Sequence, residues 1–238
     1  MFTLQDFKVK LVNGEEVKSF IKKHGEFAAV CYNTPLDRAE KVGEHCLKSG
    51  HMSGSRHLFF VFELKTVPRS AVDQLVRHYT GFVPNVQSLR YCNKDGKVNI
   101  YVAPELLQNE YMVKTIQDQE NIVNAQYNYI QTYLEESGIT GEKANEIART
   151  ILPIGVATEC SIACNIESLI HLANLRLCTR AELPIRTIIK QMVDQVIAVE
   201  PRYKPYLVPQ CKKLGYCPEN NKNCPRYKLN NKEVKKHE

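Results

Sequence analysis

The sequence predicts an α+β fold, a central antiparallel or mixed sheet flanked by helices. Three observations carry that prediction. Apolar runs of strand length occur over 57–67 and 156–164, bounded by turn signals. Helical apolar stripes recur over 36–48, 166–177 and 182–199. Strands and helices do not alternate regularly, as a doubly wound parallel sheet would require. The chain has 238 residues, 43% hydrophobic and 24% charged, so it can bury a full core without covalent staples.

The elements follow in order. Leu36, Ala39, Val42 and Cys46 mark a helix, and Gly50 is its stop signal. The run Leu58-Phe59-Phe60-Val61-Phe62-Glu63-Leu64-Lys65 moves from continuous to alternating apolar character, as a strand leaving a sheet centre would. Pro68 suits the first turn of a helix whose apolar face is Ala71, Val72, Leu75 and Val76. Asp95-Gly96, between 88–91 and 98–102, is a hairpin signal. The segment 104–137 lacks Gly and Pro after Pro104 and reads as one or two solvent-facing helices. A helix over 142–150 stops before Pro153.

Composition narrows the function classes. No apolar run reaches membrane-spanning length, and the first residues lack a basic region followed by an apolar stretch. A cytoplasmic protein without a membrane partner is expected. The net charge of +6 is diffuse and suits a small anion as well as nucleic acid. Lys228, Lys232, Lys235 and Lys236 read as a solvated terminal tail. The nine cysteines form no disulfide framework. Cys211, Cys217 and Cys224 lack zinc-ligand spacing and an obvious fourth ligand, so they read as loop thiols and no metal is expected.

Glycine-rich phosphate loops and a metalloprotease His pair are absent, and Gly50-His51-Met52-Ser53-Gly54 misses a nucleophile elbow by one position. Two polar clusters stand out instead. The first joins Gln74, Arg77 and His78 with Asn85, Gln87, Ser88 and Arg90. If 88–91 is a strand, Ser88 and Arg90 share one face, where hydroxyl and guanidinium can grip one phosphate. Gln74 and Arg77, three apart, would share a helix face. The second cluster joins Arg149 and Asn165 with His171, Asn174 and Arg176, with His171 and Asn174 on one helix face. Ordinary caps and a dipole-satisfying terminal Arg would leave the same pattern.

Taken together, these blocks resemble the flavin-dependent thymidylate synthases, whose signature is Arg-His-Arg, a short turn and Ser-x-Arg-Tyr. Arg77-His78, Asn85, Ser88, Arg90 and Tyr91 match it, as do Gly50-His51-Met52-Ser53 upstream and Arg149 and His171 to Arg176 downstream. The likeness runs from about Gly50 to Arg186, and its weight lies in the joint order of the blocks. It implies reductive methylation of dUMP to dTMP, with FAD as hydride carrier, NADPH as reductant and methylenetetrahydrofolate as carbon donor. It also implies a homotetramer with shared sites. The flavin would supply the hard chemistry while the protein aligns the ligands.

By this resemblance Gln74, Gln87, Ser88, Arg90, Arg149 and Arg176 hold dUMP. Ser53, Arg77, His78, Tyr79, Asn85, Asn165 and His171 lie along FAD. Ser88, Arg176 and His51 are the catalytic candidates, with His51 and Ser53 on the flavin and folate side. Residues 1–210 would form the synthase domain and 211–238 a Cys- and Lys-containing tail. The sequence departs from the pattern at four places: Tyr79 stands for the second Arg, Val83 for a Ser, Arg56 for a Glu and Glu167 for an Arg. The runner-up is a basic nucleic-acid-binding protein using the lysine tail and interspersed tyrosines. The basic residues of both clusters sit beside His, Asn and Ser, which suits a small molecule, so no nucleic-acid partner is expected. A third reading is a flavin-binding homologue without synthase activity.

Overall fold

A computed structural model describes residues 1–94 and 97–227. The strands β1 (Lys8–Leu11), β2 (Phe59–Pro68), β3 (Phe82–Val86) and β4 (Ala157–Asn165) form one sheet in the order β1–β2–β4–β3. Gln87 N–H donates to Glu159 O and Asn165 N–H to Gly81 O, so β3 and β4 run antiparallel. The α-helices are α1 (Gly14–Val17), α2 (Phe20–Tyr32), α3 (Ala39–Ser49), α4 (Arg69–Leu75), α5 (Glu110–Glu136), α6 (Gly141–Ala148), α7 (Ile166–Arg176), α8 (Leu183–Val199) and α9 (Gln210–Leu214). The expected α+β class with an antiparallel sheet is present.

The chain forms two compact units. The first comprises Met1–Lys8, Leu64–Val76 and Asn85–Ser161; the second comprises Val9–Glu63, Arg77–Pro84 and Ile162–Glu238. In the second unit α8 buries Ile185, Ile188, Ile189, Met192, Val193 and Val196, a helical stripe spaced by three and four. Phe60 meets Phe20 and Tyr203 edge-on, with ring centroids 5.2 and 5.6 Å away. Helices α2 and α3 touch backbone to backbone. A Cβ on Gly25 would stand 1.7 Å from Ala39 O, and one on Gly43 would stand 1.8 Å from Ile21 O. Arg202 ties this region together, reaching Glu40, Glu44 and Glu200 at 2.8, 2.6 and 2.6 Å.

In the first unit Val98, Ile100, Val123 and Val156 form a buried cluster. Phe2, Phe7 and Tyr101 stack as a tilted triad with centroids 5.8 to 6.1 Å apart. The segment 104–137 holds a single helix of 27 residues, α5, capped by Asn109. It buries Val123, Tyr127 and Leu134 on one face and is otherwise mostly exposed, the solvent-facing helix expected.

Several local expectations need correction. Residues 88–92 are not a strand. Strand β3 ends at Val86, and the amides of Tyr91 and Cys92 fold back onto Ser88 O at 3.2 and 3.0 Å. The Ser88 hydroxyl accepts from Arg90 N–H, so a local serine turn outcompetes the sheet ladder. Helix α4 ends at Leu75, so Gln74 and Arg77 do not share a helix face. β2 alternates from its start, with Phe60, Phe62 and Leu64 buried between less buried neighbours. The Asp95-Gly96 hairpin signal and the terminal lysines lie outside the described residues.

Candidate functional site

The second unit gathers most of the residues expected along a flavin. Arg77, His78, Tyr79, Asn165 and His171 line one cavity of about 720 Å³. Its floor is built by local chemistry. Asn165 ends β4 and caps α7, its Oδ1 accepting from Ser168 N–H at 2.9 Å. Its own amide donates to Gly81 O at 3.0 Å. Gly81 has φ +64°, and a Cβ there would stand 2.3 Å from Asn165 Nδ2. The turn after α4 therefore approaches the α7 cap closely only because residue 81 is glycine.

His78 and His171 meet edge to face with centroids 5.7 Å apart. Arg176, the last residue of α7, donates from Nε at 3.2 Å to His78 Nε2, with Nη2 3.1 Å away. A guanidinium has no acceptor, so His78 Nε2 must carry the lone pair and the ring must be neutral. Burial, then the Arg176 charge, then His171, push the His78 pKa down to about 4. Burial and the nearby Arg77 charge also lower the Arg176 pKa. Positive charge is thus crowded beside this cavity, an arrangement that an anionic ligand relieves.

Arg56 and Glu167, two of the departures, are partners. Arg56 Nε lies 2.7 Å from Glu167 Oε2, and both residues line the cavity. The Glu167 hydrogen bond raises the Arg56 pKa. Tyr79, a third departure, is 85% exposed on the cavity wall, with its ring free to meet a flat ligand. Val83, the fourth, is exposed on β3.

The first unit carries the other set. Gln74 is half-buried on α4, and Gln87, Ser88 and Arg90 follow β3. The Arg90 guanidinium pairs with Glu142 and lies 3.2 Å from Glu146, both on α6. Asn145 Nδ2 holds Arg90 O at 2.9 Å. Gln87 Oε1 accepts from Lys94 at 3.4 Å. Arg149 is exposed just after α6. Ser88 and Arg90 are therefore joined by a turn, and Arg90 already has anionic partners that a phosphate must displace.

Not every residue expected along the flavin lines the cavity. Asn85 is exposed on β3 in the first unit and is not among the residues lining this cavity. Ser53 is exposed in a short 3₁₀ turn, and exposed His51 gives its carbonyl to His24 Nε2 at 2.9 Å. His171 and Asn174, three apart on α7, line different cavities. Glu142, Glu146, Thr80 and Ser168 were not foreseen. Only the carboxylates on the expected helix 142–150 offered a signal, as acidic partners for a nearby Arg.

Comparison with known proteins gives the family and supports the fold. Residues 20–202 match the family described as Thymidylate synthase complementing protein. The flavin-dependent thymidylate synthase of Nitratidesulfovibrio vulgaris is 36% identical over 186 residues, covering 77% of this chain and 74% of the relative. That of Clostridium tetani is 30% identical over 197 residues, covering 79% and 78%. The crystal structure of a UMP/dUMP methylase, PolB from Streptomyces cacaoi bound with 5-Br UMP, superposes with a TM-score of 0.60 at 20% identity, over 83% of this chain and 91% of that chain, in support of the fold. With residues 20–202 matching the family model and relatives at 30–36% identity over most of both chains, the chain belongs to the flavin-dependent thymidylate synthase family.

Proposed function

We propose that the chain catalyses reductive methylation of dUMP to dTMP, with FAD as cofactor, methylenetetrahydrofolate as carbon donor and NADPH as reductant. The observation that carries the reading is the cavity lined by Arg77, His78, Tyr79, Asn165 and His171. Its donor set fits FAD: Arg77 and Arg56 offer charge to the diphosphate, and Tyr79 and the histidine rings offer flat faces. FAD, when bound, supplies hydride transfer. Neutral His78 holds its proton on Nδ1 and accepts from Arg176, which fixes the guanidinium plane. Gln74, Gln87, Ser88, Arg90, Arg149 and Arg176 bind dUMP in this reading, and Arg90 exchanges a carboxylate of α6 for the phosphate. His51 and Ser53 serve the folate side.

The same reading takes the enzyme to be a cytoplasmic homotetramer whose sites draw on several chains, with residues 1–210 as the synthase domain and 211–238 as a tail. Among the described residues, no helix is long and apolar enough to cross a membrane. The test is dUMP titration of the flavin-loaded protein and two variants. Arg90→Ala should weaken dUMP by about 1.5–3 kcal/mol, the scale of a lost charged hydrogen bond. Glu142→Gln, which frees the guanidinium from one competitor, should tighten it. Unchanged affinity in both would remove Arg90 from the site, and a purified protein without flavin absorbance would overturn the reading as a whole.

A further inference from the structure

Four of the nine cysteines come to a single cavity of the second unit. Along the sequence Cys211, Cys217 and Cys224 form a triplet without a fourth ligand. The fold supplies the fourth. Cys178 lies just past the C-terminus of α7, and with the triplet it lines a cavity of about 350 Å³. All four are free, half-buried thiols. The tail segment is pinned to this place. Thr179 donates its hydroxyl to Cys224 Sγ at 3.1 Å, and Arg226 Nη1 donates to Leu177 O at 2.9 Å.

We propose that Cys178, Cys211, Cys217 and Cys224 hold an iron–sulfur cluster in this cavity. Four cysteine thiolates are the complete ligand set of such a cluster. The cavity wall balances their negative charge, since Arg176, Arg180 and Arg226 face one carboxylate, Glu219, which pairs with Arg180. The Thr179 hydroxyl supplies a hydrogen bond to a ligand sulfur, the kind of outer contact that tunes these centres. Pro218 and Pro225 directly follow two of the cysteines and stiffen the ligand loops by fixing φ.

A cluster and a single ion ask for different arrangements of the same four thiols. Zinc gathers its sulfurs at about 2.3 Å around one point. Among the described residues, no group of three Cys, His, Asp or Glu side chains is placed to hold one metal ion. All four cysteines line one cavity of about 350 Å³, the kind of space a polynuclear group needs. The site is separate from the flavin-side cavity, and Arg176 connects them by lining the first and bonding His78 in the second.

The test uses the full chain purified without oxygen and analysed for iron, acid-labile sulfide and zinc. Iron and sulfide in equal amounts are expected, with a cluster signature in the Mössbauer spectrum of iron-enriched protein. Cys178→Ser, Cys217→Ser and Cys224→Ser should each lose most of the iron. Cys46→Ser and Cys92→Ser, outside the cavity lining, should keep it. Flavin content and circular dichroism identify the folded variants, and Cys178→Ala replaces any serine variant that fails to fold. Zinc as the bound metal would overturn the proposal. So would iron retained in a folded Cys217→Ser chain, or no iron uptake after anaerobic reconstitution with ferrous iron and sulfide. Because iron is measured independently of dUMP turnover, its failure leaves the proposed function intact.

Discussion

Replacing Arg176 by Gln removes the charge that faces His78 and leaves the burial of the imidazole largely in place. The His78 pKa is lowered from 6.5 to about 4 by burial first, the Arg176 charge second and His171 third. At about 1.36 kcal/mol for each factor of ten, and discounted for the exposed part of the ring, the whole depression is worth about 2 kcal/mol. Burial is the largest share, so the guanidinium accounts for less than half, and a rise of about one in pKa is expected on its removal. The assay is an NMR titration of the imidazole Cε1–H signals. His24 is an internal control: burial lowers its pKa, against a hydrogen bond to His51 O that opposes the shift, and Arg176 plays no part. A His78 pKa unchanged in Arg176→Gln, with His24 still low, would show that the guanidinium at 3.2 Å does not depress it.

Four further outcomes are expected. Stability should fall on acidification, because the unfolded chain takes up a proton at His78 near 6.5 while the folded chain does so only near 4. The contribution is intact above the upper value and lost as pH falls through this window. Partial exposure reduces it to about 2 kcal/mol, and urea midpoints for wild type and His78→Asn would check the slope. Gly81→Ala should cost about 2 kcal/mol, from a strained positive φ and a displaced Asn165 cap, read by chemical denaturation; a cost below about 0.5 would contradict the close approach. Arg56→Glu alone should weaken FAD a few-fold, and the added Glu167→Arg should restore it; equal affinities in all three chains would mean the pair is idle. Tyr79→Arg should steepen the salt dependence of FAD affinity, since screening acts on charges, and equal slopes would show that residue 79 faces away from the phosphates.

The apolar periodicity determined much of the fold. The stripe of α8, the alternation of β2 and the run of β4 are local patterns with a period, and a period names its element. The motif blocks determined the family, because residues such as Arg77-His78 and Asn165 carry their spacing in the chain. Segments without a strong period were decided by competition. Ser88 to Cys92 turned back on itself because the Ser88 hydroxyl and carbonyl offered nearer partners than a sheet ladder. Helix α2, unforeseen, is held by a glycine contact with α3 whose two halves lie at Gly25 and Gly43.

What only the tertiary structure decided was which distant residues became neighbours. Arg56 and Glu167 look like two separate departures along the chain and are one ion pair in space. Arg90 looks like a free phosphate donor in sequence and is met by two carboxylates of α6. Cys178 looks like one more scattered thiol and joins three tail cysteines at one cavity. Charge and hydrogen-bond energies depend on distance and burial, and neither is encoded in the spacing of residues along a chain. The His78 pKa is the clearest case, since burial in the fold and the charge of a helix end 98 residues away lower it together.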